Sequence, residues 1–134
     1  MSTYDRTLFK RALSPAVRTD GTGTGVAVDR VVNGGMQDAV VIVSTGTITD
    51  GSIAVAVQDS ANGSSDWQPV ASSNLQGTPP TIVAANDDTV FEIGVTNSRR
   101  HLRVVAVTTG STTGGIISAG ILLGAPRFGP VSRA

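Results

Sequence analysis

The hydrophobic positions of this chain recur in short runs with the spacing of strands. Val40-Val41-Ile42-Val43 and Ile53-Ala54-Val55-Ala56-Val57 flank Thr49-Asp50-Gly51. Asp-Gly between two β-branched runs is a strong hairpin signal, because the tight turn needs positive φ at both central residues. Within Ser52 to Asp59, Ile53, Val55 and Val57 fall on one face and Ala54, Ala56 and Gln58 on the other. That alternation predicts a half-buried strand, and the unbroken apolar run inside Asp38 to Thr45 predicts a fully buried one. Short strands are expected after the Gly21-Thr22-Gly23-Thr24-Gly25 connector, over Val26 to Val32, and again over Trp67 to Ala71 and Thr81 to Ala84. Longer ones are expected over Thr89 to Val95, His101 to Thr108 and Ile116 to Leu123. Asn33-Gly34-Gly35, Asn86-Asp87-Asp88, Asn97-Ser98 and Gly110 to Gly115 punctuate them as turns. Pro79-Pro80 lies in a loop, since neither residue can donate to a ladder. About eight short strands at this spacing indicate a sandwich or a closed barrel.

The two ends read differently. Residues 1–20 are the most charged part of the chain, and Pro15 limits any helix suggested by Tyr4, Leu8, Phe9 and Leu13. An extended N-terminal arm is expected there. Residues 124–134 carry Gly124, Pro126, Gly129 and Pro130 and read as a C-terminal arm. The body is then residues 21–123, one domain without internal repeats.

Composition sharpens this picture. A chain of 134 residues is long enough for a real core, and with only 15% charged residues and 16 glycines it suits strands joined by turns. The aromatics are Tyr4, Phe9, Trp67, Phe91 and Phe128, so the core must come from Val, Ile, Leu and Ala. Net charge is zero, which argues against a general electrostatic grip on nucleic acid. There is no cysteine, hence no disulfide or thiolate chemistry. No apolar run approaches the ~20 residues of a membrane helix, and Met1 to Arg6 lacks the plan of a signal peptide. A soluble protein made in the cytosol is expected, with no membrane partner.

Candidate chemistry is sparse. Gly21 to Gly25 lacks the lysine and the following helix of a phosphate loop. Asp59, Asn62 and Asp66 lack the alternating ligands and closing glutamate of a calcium loop, and a turn with Asx side chains on local backbone explains them. Asn62 to Trp67 approaches the turn-then-Trp pattern of some sugar-binding β-domains, but with altered spacing; Trp67 is expected to cover one end of the core. His101 is the only histidine and Glu92 the only glutamate, and neither has a nucleophile or carboxylate partner in a recognisable context. Arg99, Arg100 and Arg103 form the densest basic cluster without interleaved aromatics, and read as a solvated strand edge or as a patch for a partner's carboxylates. No catalytic, cofactor or metal residues are assigned.

Several segments occur together in one order: Leu13-Ser14-Pro15-Ala16-Val17, Val26-Ala27-Val28-Asp29, and Ala39 to Gly46. Ile48-Thr49-Asp50-Gly51, Val57-Gln58-Asp59-Ser60, Arg100 to Val105, and Gly120 to Arg127 follow. In this the chain resembles a family of small β-sandwich virion proteins of tailed bacteriophages that decorate or cement the head. The resemblance implies a jelly-roll-like β-sandwich, attachment to the outer surface of the major capsid protein, and assembly as a homotrimer. Within the two arms, Arg6, Phe9, Arg11, Arg127, Phe128 and Arg133 are the expected anchors, because aromatic and arginine side chains dominate interface energetics. The alternatives are a tail, connector or baseplate component, and a carbohydrate-binding module using the Asn62 to Trp67 loop.

Overall fold

β-Branched and aliphatic residues alternate with small or polar ones over most of the chain, and the backbone is extended accordingly. In the computed structural model, which describes residues 2–133, 55% of the chain is strand and 8% helix. A short helix α1 (Thr3–Arg6) precedes β1 (Leu8–Arg18), β2 (Gly21–Thr24), β3 (Val28–Asp29), β4 (Met36–Ile48) and β5 (Ser52–Ser60). There follow β6 (Gln68–Pro69), β7 (Leu75–Gln76), β8 (Thr81–Ile82), β9 (Val90–Val95), β10 (His101–Thr109) and β11 (Gly115–Pro126).

Two antiparallel sheets result. The first has the order β1-β11-β4-β9-β7; the second has β2-β10-β5-β6, with β3 also on β10 and β8 also on β5. Setting aside the two-residue β3 and β7, and taking β6 and β8 as one interrupted strand, eight principal strands remain. They lie in the order first-eighth-third-sixth and second-seventh-fourth-fifth. This is a jelly roll, a folded-over chain whose halves pair from the ends inward. Of the sandwich and the closed barrel that the strand spacing left open, the sandwich is the fold observed.

The core lies between the sheets. Val41, Val43, Ile53, Ile82, Ile93, Leu102, Val104, Ile121 and Leu123 are essentially inaccessible to solvent. Each such side chain contributes ~1.5–3 kcal/mol by leaving water. The buried cluster holds no aromatic residue, and Phe91 packs against it only from the side. The expectation of an aliphatic core drawn from composition therefore holds.

Three local expectations change. The Thr49-Asp50-Gly51 turn does not close a hairpin, because β4 belongs to the first sheet and β5 to the second. It is an arch between sheets. Gly51 supplies the positive φ, at 78°. The Asp50 carboxylate leaves its own turn and accepts N–H groups of Thr112, Thr113 and Gly114 in the facing β10–β11 arch. Asp20 likewise accepts from the Ser111 amide and hydroxyl. These bonds lower both carboxyl pKa values.

The second change is at Gly21 to Gly25. The run is a strand for most of its length, pairing Gly21 to Thr24 with Thr108 to Val105. Gly25 then carries the chain across the sandwich: its amide donates to Val104 O, and the Val26 amide donates to Ala12 O. A Cβ at position 25 would stand 2.2 Å from the Ala12 carbonyl oxygen and 2.7 Å from that of Val104, so only glycine fits.

The third concerns the ends. The N-terminal arm is extended, but its extended backbone is hydrogen-bonded into the first sheet: β1 pairs with β11 from Leu8↔Leu123 to Arg18↔Gly115. Leu8, Ala12 and Leu13 enter the core, which a free arm could not offer them. β11 runs on to Pro126, and the residues after it fold back so that Val131 is buried. The body therefore extends beyond residues 21–123 in both directions.

Candidate functional site

The two chain ends meet at one end of the sandwich and build the most structured surface outside the core. Ser2 and Asp5 cap α1 reciprocally, the Ser2 amide and hydroxyl donating to Asp5 and the Asp5 amide to the Ser2 hydroxyl. Those bonds lower the Asp5 pKa. The Val131 amide then donates to Asp5 O at 2.9 Å. Arg133 donates to Thr7 O at 2.6 Å, and its guanidinium lies over the Tyr4 ring, 3.7 Å from the centroid. Asn33 and Ser132 exchange two hydrogen bonds. Tied at these points, the segment after β11 has a defined path.

That path fixes Arg127 and Phe128. Their amides donate to Gly35 O and Gly34 O, each at 3.0 Å. Gly35 has φ +63°, a backbone conformation that favours glycine, and the Phe128 ring packs beside it. Phe128 remains 75% exposed, the most exposed of the large hydrophobic side chains among the described residues. Beside it opens a cleft of about 520 Å³ lined by Arg30, Val31, Met36, Asn97, Arg127 and Phe128. Arg30 forms its structural wall, donating to the carbonyls of Met36, Ser98 and Arg99. Burial lowers the Arg30 pKa from its usual value. The Arg127 side chain makes no ion pair among the described residues. An aromatic face beside an uncommitted guanidinium can take an apolar side chain together with a carboxylate.

The six expected anchors do not form one site. Arg6, Arg127, Phe128 and Arg133 share this end, but Arg133 is spent on Thr7 and Tyr4. Arg6 bonds back to Ser2 O and lines a separate shallow hollow with Thr3, Thr7 and Pro126. Phe9 and Arg11 lie on β1, on the outer face of the first sheet. The Phe9 ring covers Gly120 there, where a Cβ would collide with the ring. Sequence reasoning missed Arg30, Met36 and Asn97 as neighbours of Arg127, because the β3–β4 connection with the start of β4 and the β9–β10 connection are brought to the C-terminal segment only by the fold. Asn33-Gly34-Gly35 was the available signal, since its turn presents the carbonyls that hold Arg127 and Phe128.

The remaining motifs are internal. Arg99 is engaged within the chain: it pairs with Asp59 and Asp66, both at 2.9 Å, and donates to their backbone carbonyls. Arg100 grips Asp29 with two nitrogens, at 3.0 and 2.8 Å. That grip lowers the Asp29 pKa to about 2, leaving a weak proton acceptor 3.7 Å from His101 Nε2. Trp67 is outside the core cluster, on the flank of the second sheet, with the Arg103 guanidinium 4.3 Å from its ring centroid. Arg103 thus occupies one face that a sugar would need. Asn62 accepts from the Ser64 and Ser65 amides, and the buried Ser60 hydroxyl accepts from Asn62 and Gly63 amides. Asn62 thus makes the Asx turn expected, but Asp59 and Asp66, expected to bond local backbone as well, are turned to Arg99. Among the described residues, no group of three His, Asp or Glu side chains is placed to hold a metal ion.

No family model matches this chain, and no curated protein matches it. Among solved structures, the crystal structure of PirA aligns with 90% of this chain and 94% of that chain, at a TM-score of 0.40 and 14% identity. So distant a likeness carries no statement about function.

Proposed function

We propose that this protein is a structural virion protein of a tailed bacteriophage, a decoration protein seated on the outer surface of the major capsid protein. The observation that carries the reading is the Arg127–Phe128 pair beside its cleft, an exposed ring and a free guanidinium on a backbone already fixed by hydrogen bonds. Preorganisation of this kind lowers the entropy lost on docking. Aromatic and arginine side chains at the centre of a contact supply most of its energy. The ordered motif resemblance to small head-decorating β-sandwich proteins supports the same reading. A jelly roll alone would not, since the architecture serves many functions.

Attachment in this reading uses a rigid end of the sandwich in place of free arms. Many copies on a repeating capsid lattice would make modest single contacts sufficient for the shell as a whole.

The test is binding of purified variants to expanded, undecorated phage heads. Arg127→Ala and Phe128→Ala are each expected to weaken binding by roughly tenfold or more, the effect of truncating a central contact residue. Their unfolding midpoints should stay at the parent value, because both side chains are exposed. Undiminished head binding by both variants would place the contact elsewhere and overturn this assignment.

A further inference from the structure

Arg18 ends β1 with a long charged side chain at a position paired with the buried Gly115. β1 is an edge strand of the first sheet and β2 an edge strand of the second, and the chain passes directly from one to the other. Between these edges lies a hollow of about 190 Å³, lined by Arg18, Asp20, Gly21, Gly23 and Thr108 among others. It adjoins the Arg18 end of β1, whereas the cleft beside Phe128 adjoins the end that carries Leu8.

Missing side chains make the room. Gly21 pairs with Thr108, and no atom lies within 4 Å of the place a Cβ on Gly21 would take. At Gly23 that place is 2.8 Å from Arg18 Nη1, so the guanidinium lies across the glycine and reaches from the first sheet over the second. Two polar groups here have no partner within the chain. Thr108 is 2% exposed, and its hydroxyl makes no hydrogen bond among the described residues. The buried Arg18 Nε–H makes none either. Arg18 donates from Nη2 to Ser14 O at 2.9 Å, and it forms no ion pair among the described residues. A buried donor without an acceptor is costly, and a guanidinium can only donate.

The neighbouring carboxylates are engaged elsewhere. Asp20 accepts from the Ser111 amide and hydroxyl, and Asp50 from the amides of Thr112, Thr113 and Gly114. Asp20 still lines the hollow, and its charge disfavours a doubly charged anion such as phosphate.

We propose that this hollow binds one carboxylate group, with Arg18 as its counter-charge and the Thr108 hydroxyl as a second donor. A carboxylate brings acceptors only and forms charge-assisted bonds with a guanidinium. The volume equals the share of roughly six water molecules, enough for a carboxylate and a short carbon stem. Exposed residues from Thr19 to Thr22 rim the hollow. The group can therefore enter as a small organic acid or as an Asp or Glu side chain of a neighbouring protein.

The experiment is a heteronuclear NMR titration of the isotope-labelled full chain at fixed ionic strength. The probes are sodium acetate and, separately, the doubly blocked amino acid N-acetyl-aspartate methylamide. No phage component is present, so the outcome is independent of head binding. Saturable shifts centred on Arg18 Nε–H, Gly21, Gly23 and Thr108 are expected, with a dissociation constant on the order of millimolar for so small a ligand. Tighter binding of the aspartate probe would mark a protein side chain as the source, and tighter binding of acetate a free acid. Arg18→Gln and Thr108→Val should each weaken binding by roughly tenfold or more, the effect of losing a hydrogen bond to a charged group. Thr108→Val keeps the side-chain shape and removes an unpaired hydroxyl, so the fold should persist. Lys10→Gln, on the same strand, should leave binding unchanged. A hollow that holds water only would give small, unsaturable shifts with both probes, and that result would overturn the proposal. So would saturable binding that Arg18→Gln and Thr108→Val both leave at the parent value.

Discussion

Trp67 and Ile121 show how position decides what a residue is worth. Ile121 is fully buried between the sheets, while Trp67 lies outside the core against Arg103. Ile121→Ala is expected to cost ~2–5 kcal/mol through lost burial and a residual cavity. Trp67→Ala should cost only ~1 kcal/mol, the scale of an exposed cation–π contact. Urea unfolding of the two variants checks this order, and a Trp67 loss as large as that of Ile121 would contradict it. Charge behaves similarly. Arg100 holds the Asp29 carboxyl at about 2, below its ordinary 3.8. A folded pKa below the unfolded one gives stability that is full above pH ~4 and is lost as pH falls through ~2. The unfolding midpoint should decline over that range, and Asp29→Asn should flatten the decline; parallel profiles would deny Asp29 this role. None of these pairings could be read locally. Arg99 lies 40 residues from Asp59, and Arg100 lies 71 from Asp29, so a basic cluster looked free when each member already had a partner. The Asx turn at Ser60 to Ser65 was legible because all its bonds are local.

At the scale of elements, β1 carries the largest revision. Its register shifts between Arg11 and Leu13 and again between Leu13 and Ala16. Such bulges break the two-residue period, so the segment shows no strand alternation in the sequence. Pro15 and the charges at Arg6, Lys10 and Arg11 completed the impression of an arm. The structure instead makes β1 the neighbour of β11 and draws core residues from it. Deleting residues 1–20 is therefore expected to unfold the protein or render it insoluble, since it strips the core and bares the β11 edge. A truncated protein with a native circular dichroism spectrum and unchanged melting would refute this. The Asp50-Gly51 arch failed for a different reason. The turn chemistry was read correctly, but which sheet each flanking strand joins is decided by partners far along the chain. By contrast, β9, β10 and β11 were visible within a residue or a few of their ends, because turn residues bound each of these apolar runs on both sides.

For the whole molecule, the all-β class and the aliphatic core follow from composition and periodicity, while the jelly-roll order depends on pairings between the chain's two halves. The binding surfaces were legible only as residue types. Arg127 and Phe128 were named, but the cleft beside them exists because the β3–β4 connection, with Arg30 and Asn33 to Gly35, meets Asn97 of the β9–β10 connection. Phe9 and Arg11 were named with them yet sit on another face, the outer face of the first sheet. The molecule is thus a β-sandwich presenting an aromatic-arginine end. The measurement that bears most directly on its role is titration of the purified protein onto expanded, undecorated phage heads, with bound copies counted per major capsid subunit after sedimentation. Saturation at a fixed ratio is the expected result; an intact, folded protein that stays in the supernatant at every concentration would contradict head decoration.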